Sequence, residues 1–359
     1  SGMYLSFNDG ETWNPFQRNL PVTPVTDLAV KNDDLIVATQ GRSFYVMDDL
    51  TLLHQLSDEV GSSGLWLFHP RPAYRLPGGS SQKSLTAGQN PPPGVLIRYY
   101  LKDAPDSSNI VLKILEKDGG LIKRFTPTME KESERLPVKP GLNQFNWNMR
   151  YPDAETFEGM ILWAGGTRGP KAAPGRYEAR LIVGSDSTAV EIEILKDPRS
   201  SSSQADLEAQ FDFLLEVRDK VSETHKTIKQ IRNIRRQIQT LMKRLQGEPE
   251  AEAVKTSGET IISALTSIEE TLYQTKNQSR QDPLNFPIRL NNKLSALAGV
   301  VSSGDYRPTD QAVAVKTELT KKINKELAKY RSILETDIPA FNKLVHRHAV
   351  PAVMVKPEK

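Results

Sequence analysis

The apolar residues change period once along this chain, near residue 200, and that change limits its fold more than any other feature. Before it, apolar and β-branched residues fall in short runs broken by Gly, Pro, Asn and Asp, the pattern of strands and tight turns. After it, Phe211, Leu214, Leu215, Val221, Ile228, Ile231, Ile234, Ile238, Leu241 and Leu245 recur at helical spacing. About forty residues rising about 1.5 Å each predict one helix of about 60 Å. Gly247 and Pro249 end it. A second helix is expected over 251–275, with Ile261, Ile262, Leu265, Ile268 and Leu272 along its seam. Pro283 and Pro287 break the chain, a short helix covers 289–300, and Thr309 and Asp310 open a last long helix reaching His346. The helical region, 204–348, reads as an antiparallel three-helix bundle with a short extra helix, followed by a tail over 349–359.

The β-patterned half divides again. Residues 1–75 hold strand-like stretches at Met3–Phe7, Val25–Val30, Leu35–Thr39 and Ser43–Asp48, with an Asn32-Asp33-Asp34 turn. The chain enters a strand almost at once, with no basic and apolar leader near Ser1, so a fragment or a processed chain is expected. Residues 76–93 are rich in Gly, Ser and Pro and read as a linker. Residues 94–198 hold six or seven short strands, the count of a β-sandwich. In Gly141–Met149, Phe145, Trp147 and Met149 share one face, expected to be the core face. Gly119-Gly120 and Gly184-Ser185 mark hairpins.

One motif is specific. Residues 6–13 read Ser-Phe-Asn-Asp-Gly-Glu-Thr-Trp. Short Asn and Asp side chains that accept backbone N–H groups, with a Gly free to take positive φ, are the means of making a turn; Trp13 is expected to pack into the sheet layer. The stretch resembles the Asp box of BNR repeats, matching at Ser6, Gly10, Thr12 and Trp13, with Asn8 where the family usually has Asp and Asp9 beside it. Together with the strands to residue 48, it resembles the closing blade of bacterial, Bacteroidetes-like BNR propeller proteins related to the sortilin N-terminal domain and to sialidase-like glycosyl hydrolases. The resemblance implies about one and a half propeller blades, and the later Pro-Gly-Leu-Asn-x-Phe-x-Trp element implies an immunoglobulin- or fibronectin-like module. The expected fold is therefore multidomain β plus α: partial propeller, immunoglobulin-like sandwich, helical bundle.

Zero cysteines exclude disulfides and thiolate chemistry. A net charge of +3 from 47 basic and 44 acidic residues gives no reason to expect nucleic acid. No apolar run is long enough to cross a membrane. No phosphate-binding, zinc-hydrolase or serine-hydrolase motif is present, and no cofactor or metal is expected. Asp48 and Asp49 are neighbours that would point to opposite faces of a strand, and read as a strand-end turn rather than a hydrolytic pair. Trp163 and Arg168, in a Gly-rich loop, are the candidate ligand contacts. Lys229, Arg232, Arg235 and Arg236 lie in a helical stretch free of acidic residues and form a candidate basic face; the plainer reading pairs them with the next helix.

The expected function is that of a non-catalytic C-terminal scaffold or interaction region of a secreted, periplasmic or cell-surface BNR-propeller protein, binding a protein or glycan partner. Two other readings stand beside it. The parent is a sialidase-like glycosidase with its catalytic residues on upstream blades, or the helical bundle is a platform for homodimerisation.

Overall fold

The computed structural model describes residues 2–76, 88–245 and 251–348. Most of the expected linker, the helix stop at Gly247 and Pro249, and the 349–359 tail lie outside the described residues. The protein is mixed, with β-sheets in its first half and helices in its second. It divides into two compact units: residues 1–149 with 174–198, and residues 150–173 with 199–359.

The first unit opens with β1 (Tyr4–Leu5) and β2 (Asn14–Pro15), a small antiparallel pair around the 6–13 turn. Next come β3 (Val25–Lys31), β4 (Asp34–Thr39) and β5 (Phe44–Met47), an antiparallel sheet in the order β3-β4-β5. Asn32 and Asp33 both take positive φ, so a two-residue turn closes β3 onto β4 and fixes Lys31 opposite Asp34. Apolar side chains stand on both faces of this sheet. Leu28, Val30, Leu35, Val37, Tyr45 and Met47 share one; Ala29, Ile36, Ala38, Phe44 and Val46 share the other.

Two short helices follow, α1 (Thr51–His54) and α2 (Asp58–Ser62). Then come β6 (Leu65–Leu67), β7 (Ala73–Arg75), β8 (Val95–Leu101), β9 (Ile110–Glu116), β10 (Leu121–Phe125), β11 (Gly141–Trp147), β12 (Gly175–Val183) and β13 (Asp186–Lys196). They form a sheet of order β11-β8-β6 and another of order β10-β9-β12-β13-β7. The two meet face to face. Trp147 lies edge-on to Tyr177 with centroids 5.9 Å apart, and Phe125 meets Phe145 at 4.5 Å. Val95, Ile97, Tyr99 and Leu101 alternate inward along β8, and Phe145, Trp147 and Met149 are buried as their alternation indicates. Residues 65–75 depart from the expected division of the chain. β6 pairs with β8, and β7 runs parallel to the end of β13, so this stretch completes the edges of the two facing sheets.

In the second unit α3 spans Gln204–Arg244 and starts at a capping box: Ser203 Oγ accepts the Asp206 N–H, and Asp206 Oδ2 accepts the Ser203 N–H. The Ser203 hydroxyl and the Arg307 guanidinium hold the Asp206 carboxyl at a pKa of about 2. α4 (Glu252–Leu272), α5 (Leu290–Val301) and α6 (Asp310–Ser332) share one apolar core with α3. The last helix runs from Asp310 to Arg347, as the sequence pattern suggests, but with a widened turn inside it. A wide turn over Ile333–Asp337 separates α6 from α7 (Ile338–Arg347), with the Ile338 N–H reaching back to Ile333 O. Pro339 has no N–H for the Glu335 carbonyl, so the helical ladder widens there.

Residues 150–173 were expected in the sandwich but pack in the helical unit. Ala154 and Phe157 enter the core of the helices. The local sequence explains the change: few of its residues alternate, and Gly and Pro deny it a strand.

Candidate functional site

The turn at residues 6–13 is organised by two side chains. Ser6 Oγ accepts the Gly10 N–H at 2.8 Å and donates to Asn8 Oδ1 at 3.0 Å. Asn8 Oδ1 also accepts the Thr12 N–H at 2.9 Å and the Thr12 hydroxyl at 3.1 Å. One acceptor oxygen therefore holds the loop, and Asn provides the same oxygen that Asp would. Asp9 and Gly10 take positive φ, at 52° and 92°. The expected packing of Trp13 into a sheet layer is not found, for the ring is 61% exposed. β1 and β2 have only two residues each, too few to offer a face, so the ring lies over Gly10 beside an open groove of about 420 Å³ lined also by Tyr4, Val25 and Leu28.

Asp48 and Asp49 sit at the end of the β3-β4-β5 sheet in different surroundings. Burial raises the Asp49 pKa, but the Thr51 hydroxyl and the Arg98 guanidinium outweigh it and hold the carboxyl below its usual value. Arg98, on β8, pairs directly with Asp49 and donates to Gln144 at 3.1 Å. Burial and then Asp34 push Asp48 upward, against Arg71, which pairs with Asp34 at 2.7 Å. Two carboxyls pushed apart in pKa are what acid–base catalysis needs, but Asp49 is buried under its arginine. Its role here is to fasten the small sheet to β8.

Trp163 and Arg168 lie on residues 150–173, which form a strap across the helices. Arg218 donates to Pro152 O at 2.7 Å and Ser222 accepts the Glu155 N–H at 3.2 Å. Tyr273 accepts the Ile161 N–H at 3.1 Å, and Ser295 donates to Gly166 O at 2.6 Å. Asn292 bonds both backbone groups of Trp163, at 2.7 and 2.6 Å. The strap also crosses itself: a Cβ on Gly169 would fall 2.1 Å from Tyr151 O. The Trp163 backbone is thus fixed while its ring is 40% exposed, and Arg168 is exposed near it in sequence.

The candidate basic face is largely taken up. Glu269, on α4 and only 1% exposed, accepts from Arg232 at 2.7 Å and pairs with Arg235. Arg232 also stacks over Phe157, 4.6 Å from its centroid. Lys229 reaches Glu155 at 3.3 Å. Of the four, Arg236 alone has no ion pair among the described residues, and it is exposed.

Sequence reasoning did not find the buried polar centre beneath the strap. His225 is fully buried, its Nδ1–H donating to Glu155 O at 2.5 Å and its Nε2 accepting from Asn291 at 3.1 Å. Burial pushes its pKa down, against the Glu155 carbonyl. The Asn291 Oδ1 has no hydrogen-bond partner among the described residues. Glu269 did leave a signal: it stands four residues after Leu265 and three before Leu272, on the apolar seam itself.

Among the described residues, no three His, Asp or Glu side chains gather as a metal would require, and no helix is long and apolar enough to cross a membrane.

No family model matches the chain, and no curated protein matches it. Solved structures are similar in part. CopC from Methylosinus trichosporium OB3b is 12% identical, over 29% of this chain and 79% of that one, with a TM-score of 0.18. The human B7-H4 IgV-like domain is 11% identical, over 37% of this chain and 98% of that one, with a TM-score of 0.19. At such scores neither likeness assigns a fold or a function to this chain.

Proposed function

We propose that the chain is a non-catalytic scaffold and interaction region that binds a protein partner across its N-terminal sheet. One observation carries this reading: the β3-β4-β5 sheet is apolar on both faces, with Val30 64% and Phe44 71% exposed. Leu28, Val46, Tyr4, Phe7 and Trp13 are exposed nearby in sequence. A sheet apolar on both sides is the kind that is covered on both sides, and an apolar area of this kind marks an interaction site. The Asp-box resemblance at Ser6–Trp13 makes the partner neighbouring blades of a BNR propeller, and the facing sheets and the helices an immunoglobulin-like sandwich and a helical bundle that present it. The location is then secreted, periplasmic or cell-surface. The exposed ring of Trp163, on its fixed backbone, favours a glycan as a second ligand.

The test uses a dye that fluoresces on apolar protein surface, such as anilinonaphthalene sulfonate. The full chain should bind it, and Val30→Ser with Phe44→Ser should remove most of the signal while the helical circular dichroism stays unchanged. Turnover of fluorogenic sialosides or other glycosides by the purified chain would overturn the non-catalytic reading. Equal dye binding by the double variant would overturn the assignment of the sheet.

A further inference from the structure

The edge of the N-terminal sheet is complementary to itself. β3 is bonded to β4 on one side only, and its residues from Thr26 to Lys31 are all exposed. The turn at Asn32-Asp33 makes Lys31 and Asp34 a hydrogen-bonded pair, and the alternation of an antiparallel ladder makes Ala29 and Ile36 the next. The N–H and C=O groups of Leu28 and Val30 therefore point away from β4. The Leu28 N–H shows this, for it has turned to the Asp27 side chain at 2.9 Å for want of a neighbouring strand.

We propose that β3 pairs antiparallel with β3 of a second copy of this chain, about a two-fold axis at Ala29, to make a continuous six-stranded sheet. In this register Leu28 lies opposite Val30 of the second copy, and each pair exchanges the outward N–H and C=O groups. Asp27 lies opposite Lys31, twice, by symmetry. Asp27 then releases the Leu28 N–H to a carbonyl and gains a lysine. Opposite charges in facing positions stabilise a sheet and like charges destabilise it. The other registers that use the same outward groups fare worse. Centring on Leu28 sets Asp27 against Ala29 and leaves Lys31 facing Val25. Centring on Val30 sets Asp27 against Asp33. Only the axis at Ala29 matches apolar with apolar and acid with base. The sheet edge is separate from the sheet faces, so this contact does not depend on what covers those faces.

Charge exchange and cross-linking in the full chain test the proposal. Sedimentation should show a monomer–dimer equilibrium. Lys31→Asp should weaken association about tenfold or more, since it turns both cross-strand attractions into repulsions. The double variant Asp27→Lys with Lys31→Asp should restore association. The chain has no cysteine, so Ala29→Cys introduces the only thiol. At the two-fold axis the Cα atoms of a non-hydrogen-bonded pair stand about 4.5 Å apart, within disulfide range. Ala29→Cys should cross-link on mild oxidation, and Lys31→Cys, whose partner position is Asp27, should not. These side chains are exposed, and unchanged melting curves will show that the variants fold. A chain that stays monomeric at all concentrations overturns the proposal. So does a dimer that Lys31→Asp leaves unchanged, or equal cross-linking of the two cysteine variants.

Discussion

Asn292 holds Trp163 by both of its backbone groups. Its Oδ1 accepts the Trp163 N–H at 2.7 Å, and its Nδ2 donates to the Trp163 carbonyl at 2.6 Å. One side chain from α5 thus copies the pairing of a β-strand and pins the tip of the 150–173 strap to the helices. Asn292→Ala should cost about 1–3 kcal/mol, because the amide supplies two hydrogen bonds that the buried site cannot replace. Urea unfolding followed by the helical circular dichroism measures this. Asn292→Asp keeps the acceptor but sets a buried carboxylate oxygen against the Trp163 carbonyl, and should cost more than Asn292→Ala.

Arg98 and Asp49 form a buried ion pair in the first unit, with side-chain exposures of 13% and 3%. A carboxyl held below its usual pKa contributes stability at neutral pH that is lost as pH falls from about 4 through its folded value. Asp49→Asn should flatten that acid limb. Arg98→Gln should cost about 3–5 kcal/mol at neutral pH, since it strands a buried carboxylate. It should also weaken the acid limb, since one of the groups that hold the Asp49 carboxyl below its usual pKa is then gone. Urea titrations from pH 7 down to about pH 2, followed by near-ultraviolet circular dichroism of the buried Trp147, check both outcomes.

His225 acts in the opposite unit and with its own sign. Burial lowers its pKa below the ordinary 6.5. The unfolded chain therefore binds its proton first, and stability is complete above about pH 6.5 and declines below it. Helical melting points should fall between pH 6.5 and 5, and His225→Gln should reduce that slope. An equal slope in the variant would show that other groups cause the decline.

Glu269 separates structural from free charge on α3. Glu269→Ala leaves Arg232 and Arg235 without their carboxylate in a partly buried place and should cost about 3–5 kcal/mol. Arg236→Ala, on the same helix but exposed, should change stability by less than about 0.5 kcal/mol. A thermal melt of the two variants side by side decides it.

Much of the architecture could be read locally. The Asn32-Asp33, Gly119-Gly120 and Gly184-Ser185 turns, the inward alternation of Phe145, Trp147 and Met149, and the long helix through Ile238 depend on contacts a few residues apart, and local chemistry sets them. The Ser6–Asn8–Thr12 turn is of the same kind. The wide turn before Pro339 was legible in principle, since a proline always removes one N–H.

What the sequence by itself determined is the order of elements, the sense of each turn and the apolar face of most strands and helices, because these follow from backbone sterics and side-chain period. Only the tertiary structure decided where the irregular stretches went. Residues 65–75 became sheet edges, residues 150–173 became a strap on the helices, and of the carboxylates on the next helix it was Glu269 that Arg232 and Arg235 came to share. Those outcomes depend on groups from 34 to 129 residues apart, and no local periodicity encodes such a meeting. Burying a polar group requires a specific partner, and partners at that separation are found only in the folded chain.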